Sequence, residues 1–294
     1  LHLSIRRQRQ MCIRDMSNQA ELKTSKFSGL GNEILLVDLI RQSGCIDSDS
    51  VKKIVANNQV QFDQLISIEA PSLPDLDFSA TIFNRDGSKA ENCINGARCF
   101  GKYIFDTGLL NKPELLVGIE ENTWKISNPE ENIYAVEQEI SDPNLGEELL
   151  PKSNSSGLHS LDLEGDNLEI GFVNLGNPHA IYFTTGIKTM PLDKWGQNIQ
   201  ESKFFPNGVN LTLAEMISPN EVNIRVFERG VGETLACGSG ACATVVIGVQ
   251  LGYLQKEATV NFKTGSLSIK YDSDNQVLTA KGPADFLEET SIFI

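Results

Sequence analysis

The segments CINGARC at residues 93–99 and CGSGAC at residues 237–242 decide the reading of this chain. Each begins with a cysteine, continues through glycine and other small residues, and opens an apolar run: NGARCFGKYIFD over 95–106 and SGACATVVIGVQLGYL over 239–254. Both runs suffice for three or four helical turns and end near Gly108 and Gly252. The pattern therefore predicts two helices, each with a cysteine at its start. Elsewhere, residues 34–40, 64–69, 80–84, 115–119, 170–175, 180–184, 222–228, 258–263, 267–271 and 276–280 are short apolar or β-branched runs bounded by Gly, Asp, Asn or Pro, which predicts strands. The chain reads as mostly sheet with few helices.

The two cysteine segments lie in register. Asn84 precedes Cys93 by nine residues and Glu228 precedes Cys237 by nine, and a second cysteine follows in each helix, Cys99 and Cys242. This weak internal repeat predicts two similar domains facing each other. A polar stretch rich in Ser, Asn and Gly, residues 142–157, predicts a long loop early in the second half and places the domain boundary just before it, near residue 138.

The chain has 294 residues, 40% hydrophobic, with a formal net charge of −14. A field of that sign repels phosphate backbones and anionic lipid headgroups, so nucleic acid is excluded as a partner. No stretch approaches the ~18–20 consecutive apolar residues of a membrane helix, so no membrane segment is expected. Residues 1–20 carry four arginines but no apolar core of an export signal, and they read as a disordered or non-native extension. Without an export signal, the six cysteines (12, 45, 93, 99, 237 and 242) read as reduced thiols in the cytoplasm rather than a disulfide framework. Zinc is not expected. Cys93/Cys99 and Cys237/Cys242 are spaced at or beyond the limit of a ligand knuckle, and the histidines number three, at 2, 159 and 179.

A cysteine at a helix N-terminus meets unpaired backbone N–H groups and the positive end of the macrodipole, both of which favour thiolate over thiol. The neighbouring glycines leave those N–H groups accessible to a carboxylate. Two such cysteines across one pocket suit racemisation or epimerisation, because inverting a stereocentre needs a base on one face of the carbon and an acid on the other. Helix-start donors would stabilise the charge that builds on the carboxylate in the transition state. No nucleotide-binding glycine motif or phosphate loop competes, and no cofactor is expected. Cys99 and Cys242 read as packing residues, as buried cysteines usually are; Cys12 and Cys45 carry no motif. His179 after Asn177-Pro178 reads, on its own, as structural, and the asparagines as turn residues.

At these residues the sequence resembles the diaminopimelate epimerase family. The likeness runs from about Lys26 to Ile294 through SGLGN (28–32), FDQL (62–65), NRDGS (84–88), CINGARC (93–99), GNPH (176–179), ERGVGET (228–234) and ACGSGAC (236–242). It implies an α+β fold of two similar domains related by a pseudo-twofold, each a mixed sheet wrapped around a central helix. The domains would span 21–137, completed by a C-terminal strand at 283–294, and 138–282. The resemblance also implies a homodimer and a cleft that closes on LL- or meso-diaminopimelate without pyridoxal phosphate or metal. Cys93 and Cys237 would exchange the α-proton. Asn32, Gln64, Asn84, Asn177, Asn210, Glu228 and Arg229 would hold the substrate, Arg229 pairing with the distal carboxylate. Ile94, Asn95, Gly238 and Ser239 would supply backbone N–H groups, and His179 with Glu228 would sit beside the cysteines and adjust proton affinities.

Three positions depart from the family pattern. Ile94 stands where the family has glycine, which raises two expectations: a strained backbone if φ there is positive, and bulk beside the substrate carboxylate. Ser28 replaces a usual His and Gln61 a common Gly. Two other readings compete: a proline or hydroxyproline epimerase of the same architecture, disfavoured by Arg229, Asn177 and Asn210, and a non-catalytic binding protein in which Ile94 ended catalysis.

Overall fold

The computed structural model describes residues 21–120 and 122–294, so the reading of residues 1–20 lies outside it. Its helices are α1 (Ser48–Ala56), α2 (Ile94–Thr107), α3 (Leu192–Gln200) and α4 (Gly238–Gln250). The expected cysteine helices are α2 and α4. Cys93 and Cys237 are their N-caps, and Gly108, in the left-handed region at φ 60°, ends α2. α4 stops at Gln250, short of the predicted 254, because Gly252 turns left-handed at φ 71° and sends the Tyr253 N–H back to the Gly248 carbonyl. α4 is buried on all sides over 240–248, as its apolar sequence requires.

The first half holds β1 (Glu21–Gly29), β2 (Asn32–Asp38), β3 (Gln64–Glu69), β4 (Phe78–Asn84), β5 (Glu114–Ile119), β6 (Asn122–Glu130) and β7 (Ile133–Glu139). The second holds β8 (His159–Leu163), β9 (Asp166–Asn174), β10 (Pro178–Phe183), β11 (Asn210–Ser218), β12 (Glu221–Glu228) and the short β13 (Gly232–Thr234). β14 (Glu257–Phe262), β15 (Gly265–Asp272) and β16 (Val277–Pro283) follow, and β17 (Asp285–Phe293) ends the chain. Pairing runs β17-β1-β2-β3-β4-β5-β6-β7, with β2/β3 and β4/β5 parallel and the other pairs antiparallel. The second half repeats it as β8-β9-β10-β11-β12-β14-β15-β16, with β10/β11 and β12/β14 parallel. β7 and β16 pair antiparallel where the halves meet.

The order of parallel and antiparallel pairs is identical in both halves, which is the structural form of the sequence repeat. β17 lies outside β1 as β8 lies outside β9, so the first half takes its edge strand from the far end of the chain. The fold is α+β, in two domains.

Continuous apolar runs such as ILLV (34–37) are buried on both faces. Ile34 and Leu36 face the inner core around α2 and α4, whereas Leu35 and Val37 face an outer cluster with Val51 and Ile54 of α1. In the second half α3 covers the sheet likewise, with Leu192, Trp195 and Ile199 on Leu211 and Leu213. The inner core is one cluster shared by both central helices, joining Ala97 and Phe100 to Ala241 and Val245.

Candidate active site

Both central helices point their starts into a cleft of about 970 Å³ between the halves. Asn32, Gln64, Asn84, Cys93, Ile94 and Asn95 line it from one side, and Asn177, Asn210, Glu228, Arg229, Cys237, Gly238 and Ser239 from the other. The strand register places them in equivalent pairs. Gln64 faces Asn84 across β3/β4, and its Nε2 donates to Asn84 Oδ1 (3.0 Å). Asn210 and Glu228 occupy the matching ends of β11 and β12, where Asn210 Oδ1 accepts the Arg229 backbone N–H (2.9 Å). Asn32 and Asn177 each follow a Leu-Gly pair, and both glycines, Gly31 and Gly176, sit at φ 91°. Only glycine enters that region without strain, and each brings its asparagine to the cleft although the turns differ: Leu30 is left-handed at φ 61° in a two-residue turn, whereas Leu175 is not left-handed and its turn is one residue longer.

The thiols cap their helices in the same way. Cys93 Sγ accepts the Gly96 N–H at 3.1 Å and Cys237 Sγ the Gly240 N–H at 3.4 Å. Cys93 is also 3.9 Å from Asn32 Oδ1, and Cys237 3.5 Å from Ser239 Oγ. The first-turn amides of Ile94, Asn95, Gly238 and Ser239 find no backbone acceptor within their helices, and that of Asn95 also bears on the Cys93 sulfur, favouring its thiolate.

Proton affinities differ from the sequence expectation. Burial pushes the Cys93 thiol up to about 12 and the Cys237 thiol well above its ordinary value. The Gly96 and Gly240 amides act in the expected direction, favouring thiolate, but desolvation outweighs them. Glu228 adds to the rise at both sulfurs, and its own carboxyl is raised by burial against hydrogen bonds from Thr234 and Cys237. In this state both sulfurs are thiols at neutral pH.

His179 is placed differently from the other expected residues. It is fully buried and is not among the residues lining the cleft. Its Nε2 lies 3.0 Å from Asn177 Oδ1, and Nδ1 has no partner. Burial and the nearby Arg229 lower it to about 3, so the ring is neutral. Here it braces Asn177 from behind.

Ile94 has no backbone strain: it begins α2 and is not one of the positive-φ residues. Its side chain is 3% exposed and meets the opposite helix start. A Cβ on Gly238 would stand 2.9 Å from Ile94 Cβ, so glycine at 238 is what lets the two starts approach. Asn95 joins the halves directly, its Nδ2 donating to the Ala236 carbonyl (3.2 Å).

Asp63, Arg85, Ser88 and Thr234 also line the cleft. Asp63 Oδ2 accepts from Asn32 Nδ2 (3.3 Å) and from the Glu33 N–H (2.8 Å), Ser88 Oγ accepts from Asn84 Nδ2 (3.1 Å), and Thr234 Oγ1 donates to Glu228. Each lies in a segment quoted above. Position within those segments was the available signal; residue type was not.

A two-domain α+β fold that presents one capping thiol from each domain to a shared polar cleft defines a class of isomerases. The chain belongs to the diaminopimelate epimerase family, whose family model matches residues 24–139 and 171–287. The diaminopimelate epimerase of Teredinibacter turnerae is 37% identical over 266 residues, covering 90% of this chain and 96% of that protein. That of Buchnera aphidicola is 34% identical over 280 residues, covering 93% and 96%. A hydroxyproline epimerase from Agrobacterium vitis superposes with a TM-score of 0.65 at 10% identity, covering 93% of each chain. A PhzF-family phenazine biosynthesis protein from Bacillus anthracis gives 0.66 at 16%, covering 94% of this chain and all of that one. At such identities these two likenesses are of fold alone.

Proposed function

We propose that this protein interconverts LL- and meso-diaminopimelate by moving the α-proton between Cys93 and Cys237, without a cofactor. The observation that carries the reading is the pair of equivalent cysteine N-caps facing one cleft. A thiolate on one side removes the proton and the thiol on the other returns one, giving inversion. The substrate's α-ammonium, arriving beside the two sulfurs, offsets the desolvation that holds them neutral and favours the thiolate. The first-turn amides of α2 and α4 receive the α-carboxylate as its charge grows. Asn32, Gln64, Asn84, Asn177 and Asn210 hold the polar ends, Glu228 takes an ammonium, and Arg229 takes the distal carboxylate through paired hydrogen bonds. His179 acts through Asn177.

On the same reading the domains are 21–137 with 283–294, and 138–282, and the enzyme is a cytoplasmic homodimer. Among the described residues, no helix is long and apolar enough to cross a membrane. The test is incubation of the reduced protein with LL-diaminopimelate and, separately, with L-proline, followed by chiral chromatography. Appearance of the meso isomer with proline unchanged is the expected result. Inversion of proline would move the assignment to a cyclic imino acid, and binding without inversion of either would end the catalytic reading.

A further inference from the structure

The cleft-lining residues Gly31 and Leu235 belong to opposite halves, and the residue that joins them is Thr264, in the two-residue turn between β14 and β15. Thr264 Oγ1 donates to the Leu30 carbonyl at 2.7 Å, and the Leu235 carbonyl lies 3.5 Å from the same oxygen. A hydroxyl has one hydrogen, so the short contact to the first half is the bond made. Packing follows the same line. A Cβ on Gly31 would stand 3.4 Å from both Leu235 Cδ1 and Thr264 Cγ2, and one on Gly265 would stand 2.7 Å from Leu30 Cδ2. Leu30 needs the support: it is left-handed at φ 61°, where a leucine is strained, and its turn is otherwise held by Ser28 Oγ accepting the Gly31 N–H (3.0 Å). The residue after that turn is Asn32, whose Oδ1 lies 3.9 Å from Cys93 Sγ, and Leu235 for its part stands two residues before Cys237.

The reciprocal tie is absent among the described residues. The equivalent turn, between β5 and β6, is followed by Asn122, whose Nδ2 reaches the Glu91 carbonyl (3.5 Å), two residues before Cys93 and in the same half. A Cβ on Gly176, the glycine before Asn177, would meet nothing within 4 Å among the described residues. Asn177 is held from its own half, by His179.

We propose that Thr264 is a positioning residue for Asn32: its hydroxyl fastens the β1–β2 turn to the second half and so sets the asparagine amide against the substrate beside Cys93. Thr264 is not among the residues lining the cleft and acts through Leu30 and Gly31. Asn32 is thus preset from both halves, by Asp63 of its own (3.3 Å) and by Thr264 of the other, whereas Asn177 is set from one. An amide already held in place loses less freedom when the substrate binds. The meaning of the tie in catalysis rests on the two-cysteine reading; the tie itself does not.

Thr264 is exposed, so substitution there leaves the core alone. Thr264→Val keeps the shape and removes the donor, and Thr264→Ser keeps the donor. The test is hydrogen–deuterium exchange of the full chain, followed by mass spectrometry in the turns that carry Asn32 and Asn177. Thr264→Val is expected to speed exchange in the Asn32 turn about 3–10-fold, the range of one lost hydrogen bond, and to leave the Asn177 turn unchanged, with Thr264→Ser restoring the rate. Equal acceleration in both turns, or none in either, overturns the proposal. In turnover of LL-diaminopimelate, Thr264→Val is expected to lower kcat/KM by about the same factor, Thr264→Ser to restore it, and Thr264→Val to cause no further loss in an Asn32→Ala chain. The full loss in that background would mean that Thr264 does not act through Asn32, and it overturns the proposal as well. Absence of epimerisation by the unaltered chain would end the two-cysteine reading while exchange in the two turns still reports the tie, so the two failures are distinguishable.

Discussion

At the ends of equivalent strands the first domain presents the amides of Gln64 and Asn84 to the cleft, whereas the second presents Asn210 and Glu228. The strand order, the turn glycines at φ 91° and the thiol caps are the same on both sides. What differs at these strand ends is a carboxylate, Glu228, in the place of the Asn84 amide. A symmetric fold can place two groups on opposite faces of one carbon, but the carbon's substituents are not symmetric, and on the proposed reading Glu228 breaks the symmetry to receive an ammonium. Duplication supplies the geometry here and substitution supplies the recognition.

The comparison breaks most severely if one cysteine proves dispensable. Cys93→Ala and Cys237→Ala are each expected to lower kcat/KM by ~10²–10⁴-fold, the range of a lost general acid or base, measured by conversion of LL-diaminopimelate. Loss in only one variant would reduce the second cap to packing. Next are Arg85 and Arg229, which follow Asn84 and Glu228 at matching positions. Both arginines are exposed, but Arg229 Nη1 donates to the Asn207 carbonyl (3.2 Å), which restrains its guanidinium. Arg229→Lys is expected to raise KM about 10–100-fold through the lost paired hydrogen bonds, and Arg85→Ala far less. Comparable effects in steady-state kinetics would mean that both arginines hold the distal carboxylate.

A smaller effect concerns the unequal helix starts. Gly238→Ala would place a methyl 2.9 Å from Ile94 Cβ, and a destabilisation of about 1–3 kcal/mol is expected from overpacking. Ile94→Gly in the same chain is expected to relieve it, so urea unfolding of the four variants should give a coupling energy of opposite sign to the single cost. Additivity would show that the two starts do not meet.

A further effect is a pH dependence. His179 is held near 3 in the fold but titrates near its ordinary value of 6.5 when unfolded, so the unfolded chain binds a proton that the native one refuses. The native state therefore loses stability as pH falls from about 6.5 towards 3, and His179→Gln should remove that part of the slope. An unchanged slope in chemical denaturation would mean that the ring is protonated in the fold.

The cysteine helices are readable in the sequence because their signal is local: a capping side chain, small residues, an apolar run and a terminal glycine. β2 is readable as a continuous apolar run and β12 as an alternation of apolar and polar residues. β17 is not readable from its own pattern, in which Ile292 is the one fully buried residue, and only the family resemblance supplies a strand there. α1 and α3 escape notice because each is nine residues long and contributes a narrow apolar stripe to an outer layer. In the site, residue identities follow from the motifs, but burial does not. Sequence reads the helix-start amides that favour thiolate and misses the desolvation that overrides them, and it gives no sign that the sheet buries His179 against Asn177. Long-range packing decides both.

The most direct test of two opposed thiols is proton NMR of LL-diaminopimelate with the reduced enzyme in deuterated water, sampled before equilibrium. Two bases on opposite faces predict deuterium at the inverted carbon of the meso product, while the recovered LL form keeps its α-proton. Early deuterium in the recovered LL form to the same extent as in the product would require a single base serving both faces and would contradict the account.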